Sequence, residues 1–241
     1  MKVTLNEQEY ILTPEEEEMS VLEFATMKDV YIPSLCFLKE CGNSGKCGVC
    51  RVEIEQDGKV KSTLACRLKM TDGLVIRTDT EQTLEQTKKT VIKILNKHDF
   101  KCGTCIRNGD CELLALAGKL RARPELKYED SVDDLQAQID SRSVGITINR
   151  NKCILCGRCA AMCLEKTSTG SIKLQKIDGK RIMAPIDNVR FEDTNCLLYG
   201  QCVNACPVGA LHETTEIEKV EAALDDDNKQ VFYVKSSILG L

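Results

Sequence analysis

The sequence has no tryptophan, and only 4% of its 241 residues are aromatic. Small modules with so few large side chains have limited hydrophobic cores and often depend on bound metals or disulfides. No apolar run is long enough to span a bilayer, so we expect no membrane segment. The N-terminus MKVTLNEQEY lacks the basic and apolar regions of a secretion signal, which predicts a cytoplasmic, reducing location.

Motifs of several enzyme classes are also missing. The sequence contains no G-x-G-x-x-G, no P-loop, no Ser-His-Asp set and no evident flavin site. The net charge is -4 at neutral pH, and the acidic runs are typical of solvated surface. We therefore expect no catalytic site and no flavin on this chain, and no nucleic-acid partner.

Cysteine, in contrast, is abundant. The 15 cysteines form groups along the chain, and in a reducing compartment such groups usually bind metal or carry out redox chemistry. The pattern predicts an α+β protein of successive small modules. We assign residues 1–78 to a β-grasp ferredoxin-like domain, 79–120 to a small helical cluster domain, 121–143 to a linker, 144–214 to a bacterial two-cluster ferredoxin-like domain, and 215–241 to a C-terminal helix and docking tail.

Local patterns place the elements within these modules. In the first, we predict a helix over 20–27, a strand over 51–56 and a hairpin turn at Asp57-Gly58. A helix over 81–97 is expected to bury one stripe, formed by Leu84, Val91, Ile92 and Leu95. A second short helix is expected to start near Cys111. The third module is expected to contain a hairpin of 171–176 and 181–184, followed by a helix over 216–224.

The third module contains the most specific motif. It has an unbroken C-x2-C-x2-C-x3-C run, formed by Cys153, Cys156, Cys159 and Cys163. In such runs three thiolates surround one [4Fe-4S] cluster, and the fourth cysteine ligates the cluster of the partner motif. Cys206 is therefore the expected fourth ligand of the first cluster, and Cys163 joins Cys196 and Cys202 at the second. Zinc is the simpler alternative, because thiolates also bind it tetrahedrally.

The second motif has Tyr199 where its second cysteine should stand. Three outcomes are open at this position. The cluster can lose an iron and become [3Fe-4S], it can remain [4Fe-4S] with the Tyr199 phenolate or water as a ligand, or the site can be empty.

The middle module contains His98, one of two histidines in the chain, followed by Cys102, Cys105 and Cys111. A neutral imidazole can replace one thiolate, which makes the cluster less negative. The spacing alone fits a [4Fe-4S] cluster, a zinc site or a solvated histidine at a helix end.

The first module offers five cysteines for a [2Fe-2S] cluster that needs four. Cys47 and Cys50 lie in the loop GNSGKCGVC, and these two together with Cys66 fit either choice. Cys36 and Cys41 are the two candidates for the fourth ligand, and the one that does not bind the cluster is a spare thiol.

The ordered motifs C-x10-C-x2-C-x15-C, H-x3-C-x2-C-x5-C and the two ferredoxin runs resemble the N-terminal region of [FeFe]-hydrogenases. The large iron-sulfur subunit of respiratory complex I and some NAD-linked formate dehydrogenases are similar. The segments that carry the resemblance are LCFLKECGNSGKCGVCRVEIE, HDFKCGTC, CILCGRC and DTNCLLYGQCVNACPVGAL. The resemblance implies a [2Fe-2S] cluster on Cys36, Cys47, Cys50 and Cys66, and a [4Fe-4S] cluster at His98.

Two features depart from this family. Tyr199 replaces a cysteine, and no cysteine follows Cys206 to hold a hydrogen-evolving cluster. We therefore expect no hydrogenase activity from this chain, but an electron-transfer subunit of a multisubunit oxidoreductase such as a transhydrogenase or formate dehydrogenase. The resemblance implies a flavin-containing, NADH-oxidising partner, ferredoxin, a second NADP- or substrate-reducing subunit, and possible electron bifurcation. The alternatives are a free polycluster ferredoxin and a zinc-stabilised interaction protein.

Overall fold

The computed structural model describes residues 1–42, 45–125, 138–177, 179–226 and 230. Most of the predicted linker, and almost all of the tail QVFYVKSSILGL, lie outside these residues. Within the described part, no helix is both long enough and apolar enough to cross a membrane.

The N-terminal module is built on a mixed five-stranded sheet. Its strands are β1 (Lys2–Leu5), β2 (Gln8–Ile11), β3 (Arg51–Gln56), β4 (Lys59–Leu64) and β5 (Val75–Arg77). They lie in the order β2-β1-β5-β3-β4, with β1 and β5 parallel. The tight turn that joins β3 to β4 places Gln56 opposite Lys59, and Asp57 and Gly58 both have the positive φ that such turns require.

Two short helices precede the cysteine loop, α1 (Pro14–Glu17) and α2 (Val21–Met27). Ser20 caps α2 through a reciprocal capping box with Glu23, and this bond fixes where the helix starts. The apolar face of α2 buries Val21, Leu22, Phe24 and Ala25. The helix predicted over 20–27 is therefore observed, and its burial against the sheet organises the first core.

The middle module contains α3 (Glu81–Leu95) and α4 (Glu112–Lys119). The expected stripe on α3 is partly wrong, because Leu84 is 45% exposed. The buried face instead contains Thr83, Thr87, Val91 and Leu95. Thr87 is tolerated there because its hydroxyl donates to the Val49 carbonyl, 3.3 Å away, and a buried hydroxyl needs such a partner.

The third module combines a small sheet, a hairpin and three helices. Strands β6 (Ile139–Asp140), β7 (Ile146–Asn149) and β10 (Leu211–Glu213) form an antiparallel sheet in the order β10-β7-β6, which was not predicted. The predicted hairpin is β8 (Ile172–Ile177) with β9 (Lys180–Pro185). The helices are α5 (Arg158–Glu165), α6 (Gln201–Asn204) and α7 (Ile217–Leu224). Five short 3-10 turns complete the described elements: Lys39–Cys41, Cys102–Thr104, Arg150–Lys152, Ile186–Asn188 and Phe191–Asp193.

The buried apolar residues form two cores. One lies inside the N-terminal module, between its sheet and α2. The other begins at Leu35 and Val49, continues through Val91 on α3 and Leu113 on α4, and extends to Leu211 on β10. This second core includes or borders cysteines of every predicted cluster set, and so fixes the sets relative to one another.

Candidate cluster-binding sites

The cysteines of the N-terminal module lie in two interacting pairs. Cys36 is hydrogen-bonded to Cys47, which lowers the pKa of Cys36 to about 5 and raises that of Cys47. Cys66 is hydrogen-bonded to Cys50, which lowers the pKa of Cys66 to about 7 and raises that of Cys50. In each pair one thiol, Cys36 or Cys66, is therefore the more easily ionised. A metal needs thiolate ligands, so part of this set is readily ionised for binding.

The cysteine loop supplies backbone donors as well. The amide of Gly45 donates to the Cys66 sulfur at 3.2 Å. Gly45 has φ +71, and a Cβ here would lie 2.5 Å from the Arg67 side chain. Glycine is favoured here because the left-handed conformation strains other residues, and a Cβ would also displace the Arg67 side chain.

Cys41 lies apart from these two cysteine pairs. It ends the 3-10 turn before the loop, is only 9% exposed, and is influenced by the charges of Lys166 and Glu165. Of the two competitors for the fourth place, the structure brings Cys36 to Cys47.

In the middle module, Cys102, Cys105 and Cys111 lie near one another. Burial raises the pKa of Cys111, and the neighbouring sulfurs of Cys105 and Cys102 raise it further. The Cys105 sulfur also approaches the third module, where a Cβ on Gly209 would lie only 2.6 Å from it. Cys105 therefore packs directly against the loop that follows Cys206.

His98 lies in a buried setting that suits a neutral ligand. Burial lowers the pKa of its imidazole, against the opposing effect of a hydrogen bond to the backbone of Lys152. Its Nδ1 is buried without a hydrogen-bond partner among the described residues. An orphaned ring nitrogen is unusual, and a bound metal is one of its standard explanations. The donor set therefore fits a cluster, although the described contacts place the ring against Lys152 and do not themselves show ligation.

The first half of the third module gathers four sulfurs. Cys159 is close enough to Cys153, Cys156 and Cys206 for their charges to act on it. Burial raises the pKa of Cys153 to about 11 and of Cys156 to about 12. Without metal these thiols are neutral at pH 7, and metal binding would release their protons. This is the predicted set, with Cys206 supplied from the distant motif.

The second half gathers three sulfurs. Cys163 and Cys196 both act electrostatically on Cys202, whose pKa is raised to about 12, chiefly by burial. The Cys163 sulfur accepts the Ser171 amide at 3.1 Å and lies 3.1 Å from the Thr169 hydroxyl. Tyr199 is 49% exposed and lines a small recess with these cysteines.

The two halves share one backbone path. Leu155 and Leu198 have φ of 54° and 57°, and Gly157 and Gly200 both have φ of 74°. Each glycine then caps the following helix, α5 or α6. Cys156 and Tyr199 therefore occupy the same position between a left-handed leucine and a left-handed glycine.

An ion pair joins the middle and third modules beside these sites. Arg158, 8% exposed, holds the Glu112 carboxylate through two bonds of 2.5 and 2.9 Å. The positive charge of Arg158 also acts on Cys36 and Cys156. Sequence reasoning missed this pair because no local pattern links the residue after Cys111 to the residue after Gly157.

The described residues contain no group of three or more His, Cys, Asp or Glu side chains close enough to hold a single metal ion. A [4Fe-4S] cube distributes its ligands over four irons, whereas zinc draws all four sulfurs to about 2.3 Å from one point.

Comparison with known domain families divides the chain in three. Residues 2–81 match the 2Fe-2S iron-sulfur cluster binding domain. Residues 82–122 match the iron-sulfur centre-binding domain described as iron hydrogenase 1-like. Residues 152–210 match the 4Fe-4S dicluster domain. The chain is therefore an iron-sulfur protein with [2Fe-2S] and [4Fe-4S] ferredoxin-like domains in a mixed α+β fold.

Individual proteins with a similar sequence specify the class of iron-sulfur protein further. The chain is 39% identical over 217 residues to iron hydrogenase 1 of Clostridium pasteurianum, which covers 90% of this chain and 37% of that protein. It is 31% identical over 220 residues to the NADP-reducing hydrogenase subunit HndD of Solidesulfovibrio fructosivorans, covering 89% and 37%. The chain thus spans 37% of the length of each of these curated relatives.

A solved structure matches over most of both chains. A chain of the NAD+-reducing [NiFe]-hydrogenase in its H2-reduced state aligns with a TM-score of 0.75 and 25% identity, over 89% of this chain and 87% of its own. The protein carries the iron-sulfur domains found in the N-terminal region of [FeFe]-hydrogenases and in the related iron-sulfur chain of NADH-quinone oxidoreductases. This confirms the resemblance drawn from the cysteine motifs.

Proposed function

We propose that the chain is an electron-transfer subunit of a cytoplasmic, multisubunit NAD(P)-linked oxidoreductase. The observation that carries the proposal is the second core, because cysteines of successive cluster sets lie in it or pack against it. Electron transfer between clusters requires that they lie close together, and a core shared by the cysteine sets is consistent with that requirement. The similarity to an NADP-reducing hydrogenase subunit and to a chain of an NAD+-reducing hydrogenase supports the NAD(P) link.

Under this proposal each cysteine set holds one cluster. The [2Fe-2S] ligands are Cys36, Cys47, Cys50 and Cys66. The ligands of the middle [4Fe-4S] cluster are His98, Cys102, Cys105 and Cys111. A second [4Fe-4S] cluster takes Cys153, Cys156, Cys159 and Cys206, and the last cluster takes Cys163, Cys196 and Cys202. When bound, these clusters supply one-electron redox chemistry, with potentials set by cluster type, charge and hydrogen bonds.

We infer a [3Fe-4S] cluster at the Tyr199 site. The loop around Tyr199 has the same backbone conformation as the loop around Cys156. The side chain at this position is an exposed phenol in Tyr199 and a buried thiol in Cys156. Iron-sulfur clusters strongly prefer thiolate ligands, so a cluster held by Cys163, Cys196 and Cys202 would lack the iron that a cysteine at position 199 would bind. A [4Fe-4S] cluster with a phenolate or water ligand is the second candidate, because the recess beside Tyr199 leaves space at this position.

The proposed partners are a flavin-containing NADH-oxidising subunit, ferredoxin and a second redox subunit that reduces NADP or another substrate. Helix α7 supports docking to another chain, because Ile217, Val220 and Leu224 are all at least half exposed along it. An exposed apolar stripe of this kind commonly marks a protein interface. The electron-bifurcating transhydrogenase remains our preferred complex, and a formate dehydrogenase complex is the next.

An anaerobic pull-down of the tagged chain from its host tests the proposal, with flavin, iron and zinc assayed in the eluate. We expect a brown-yellow complex that contains flavin and further subunits. A brown protein that elutes alone would instead identify a diffusing ferredoxin. A colourless protein that contains zinc would identify the interaction protein and refute electron transfer.

A further inference from the structure

A cleft of about 560 Å³ opens between the cysteine loop of the N-terminal module, helix α3 and the third module. Four cationic side chains line it: Lys46, Lys93, Lys97 and Arg181. They come from three separate parts of the chain, and Lys46 extends to the third module, with its ammonium 2.5 Å from where a Cβ on Gly157 would be. Only the tertiary fold brings these charges together.

The charge of the cleft is opposite to that of the whole protein. The chain carries a net charge of -4, yet no Asp or Glu is among the residues that line the cleft. All four cations are exposed, and none of them takes part in the ion pairs found within the described residues. A concave surface of one sign concentrates the electrostatic field and attracts molecules of the opposite sign.

The cleft wall also contains one proposed ligand from each of three cluster sets. Cys47 belongs to the [2Fe-2S] set, His98 to the middle set and Cys153 to the intact [4Fe-4S] set. A molecule seated here would approach three clusters at one place on the surface.

We propose that this basic cleft is the docking site of a small acidic electron-carrier protein. The inference rests on the proposed electron-transfer function and adds the point at which the carrier binds. The cationic groups are the ends of long, exposed side chains, which suit the rim of a transient protein interface and electrostatic steering. A nucleotide site would need buried charged or polar groups around the phosphates that fix one orientation, whereas all four cations of this cleft are exposed.

The test uses two matched double variants of the full, cluster-loaded chain. K93Q/R181Q removes two exposed cations of the cleft, neither of which is a proposed ligand or a direct sequence neighbour of one. K59Q/K61Q removes two exposed lysines on β4, which do not line the cleft. The probe is a purified acidic two-cluster bacterial ferredoxin, reduced with dithionite, and stopped-flow absorbance follows its oxidation by the chain.

For the unmodified chain we expect the second-order rate to fall steeply as ionic strength rises from about 20 to about 500 mM, since added salt screens steering. K93Q/R181Q should be slower by about tenfold or more at low salt and should lose most of the salt dependence. K59Q/K61Q should keep the unmodified rate within about twofold, because its charges lie outside the cleft.

Three controls separate failure of docking from failure of the proposed function. Iron content, EPR spectra and oxidation by a neutral quinone should be the same in both variants and the unmodified chain. If these three properties are unchanged and the two variants still react equally with ferredoxin, the docking site is refuted, while the electron-transfer function stands. Sedimentation measures the oligomeric state of the unmodified chain and of both variants. A dimer that dissociates only in K93Q/R181Q would assign the cleft to a second copy of the chain and overturn the proposal.

Discussion

The two cluster loops of the third module follow the same backbone and differ in one side chain. Cys156 itself is buried, and its set has four thiols. Around Tyr199 the same pair of left-handed residues presents an exposed phenol, and the set has three thiols. The loop geometry is therefore independent of the ligand at its centre, because the leucine and glycine conformations and the following helix fix it. Cluster type can change at such a site without a change of fold.

The largest expected effect comes from removing the equivalent first cysteine of each loop. Cys153→Ala should lose about four irons per chain and lower the Tm substantially, since metal binding and folding are coupled. Cys196→Ala should lose about three irons with a smaller drop in Tm, because its set holds the smaller cluster. Iron analysis and thermal melting measure both.

Cys41→Ala is the control for these variants, because Cys41 is buried but lies outside all four sets. Its iron content should be unchanged. Equal iron losses in the Cys153 and Cys196 variants would contradict the proposed difference between the two halves.

Tyr199→Cys should remove the difference between the loops. Because the backbone already has the conformation found at Cys156, a thiol here should complete the set and raise iron content by about one per chain. The EPR signal of a three-iron cluster should disappear from the oxidised protein. Tyr199→Phe serves as the control and should leave iron and EPR unchanged, whereas a change there would reveal a phenolate ligand.

Gly157→Ala and Gly200→Ala test the claim that left-handed glycines hold both loops. Each substitution forces alanine into the left-handed region, which costs about 1–2 kcal/mol of stability. The cost should be higher at Gly157, where a Cβ would displace Lys46, than at Gly200, where the surrounding space is open. Denaturant unfolding of the cluster-loaded protein measures both, and a neutral Gly200→Ala would argue against the shared geometry.

The smallest expected effect concerns the Cys163 sulfur. Thr169→Val removes a hydroxyl 3.1 Å from it, and a hydrogen bond to a ligand sulfur stabilises the more negative, reduced cluster. The variant should therefore lower the reduction potential of the second cluster and leave that of the first unchanged. An EPR-monitored redox titration measures this, with the neighbouring exposed Ser168→Ala as control. Equal potentials in the two variants would show that the hydroxyl does not influence the cluster.

Much of the site could be predicted from local sequence, because ligand spacing within a loop is a local property. The C-x2-C runs, the helix after Ser20 and the turn at Asp57-Gly58 each depend on a few consecutive residues. The buried face of α3 could not be predicted from consecutive residues alone. Thr87 is buried because the Val49 carbonyl accepts its hydroxyl, and that partner lies 38 residues away.

The sequence by itself determined the number of cysteine sets, their order and the class of protein, since the spacing of cysteines within each motif and the order of the motifs are properties of the chain alone. The tertiary structure decided which distant groups meet. It placed Cys36 rather than Cys41 beside Cys47, joined Arg158 to Glu112, and gathered four cations into one cleft. These arrangements depend on how the modules pack around a shared core, and packing is a property of the whole fold rather than of any segment.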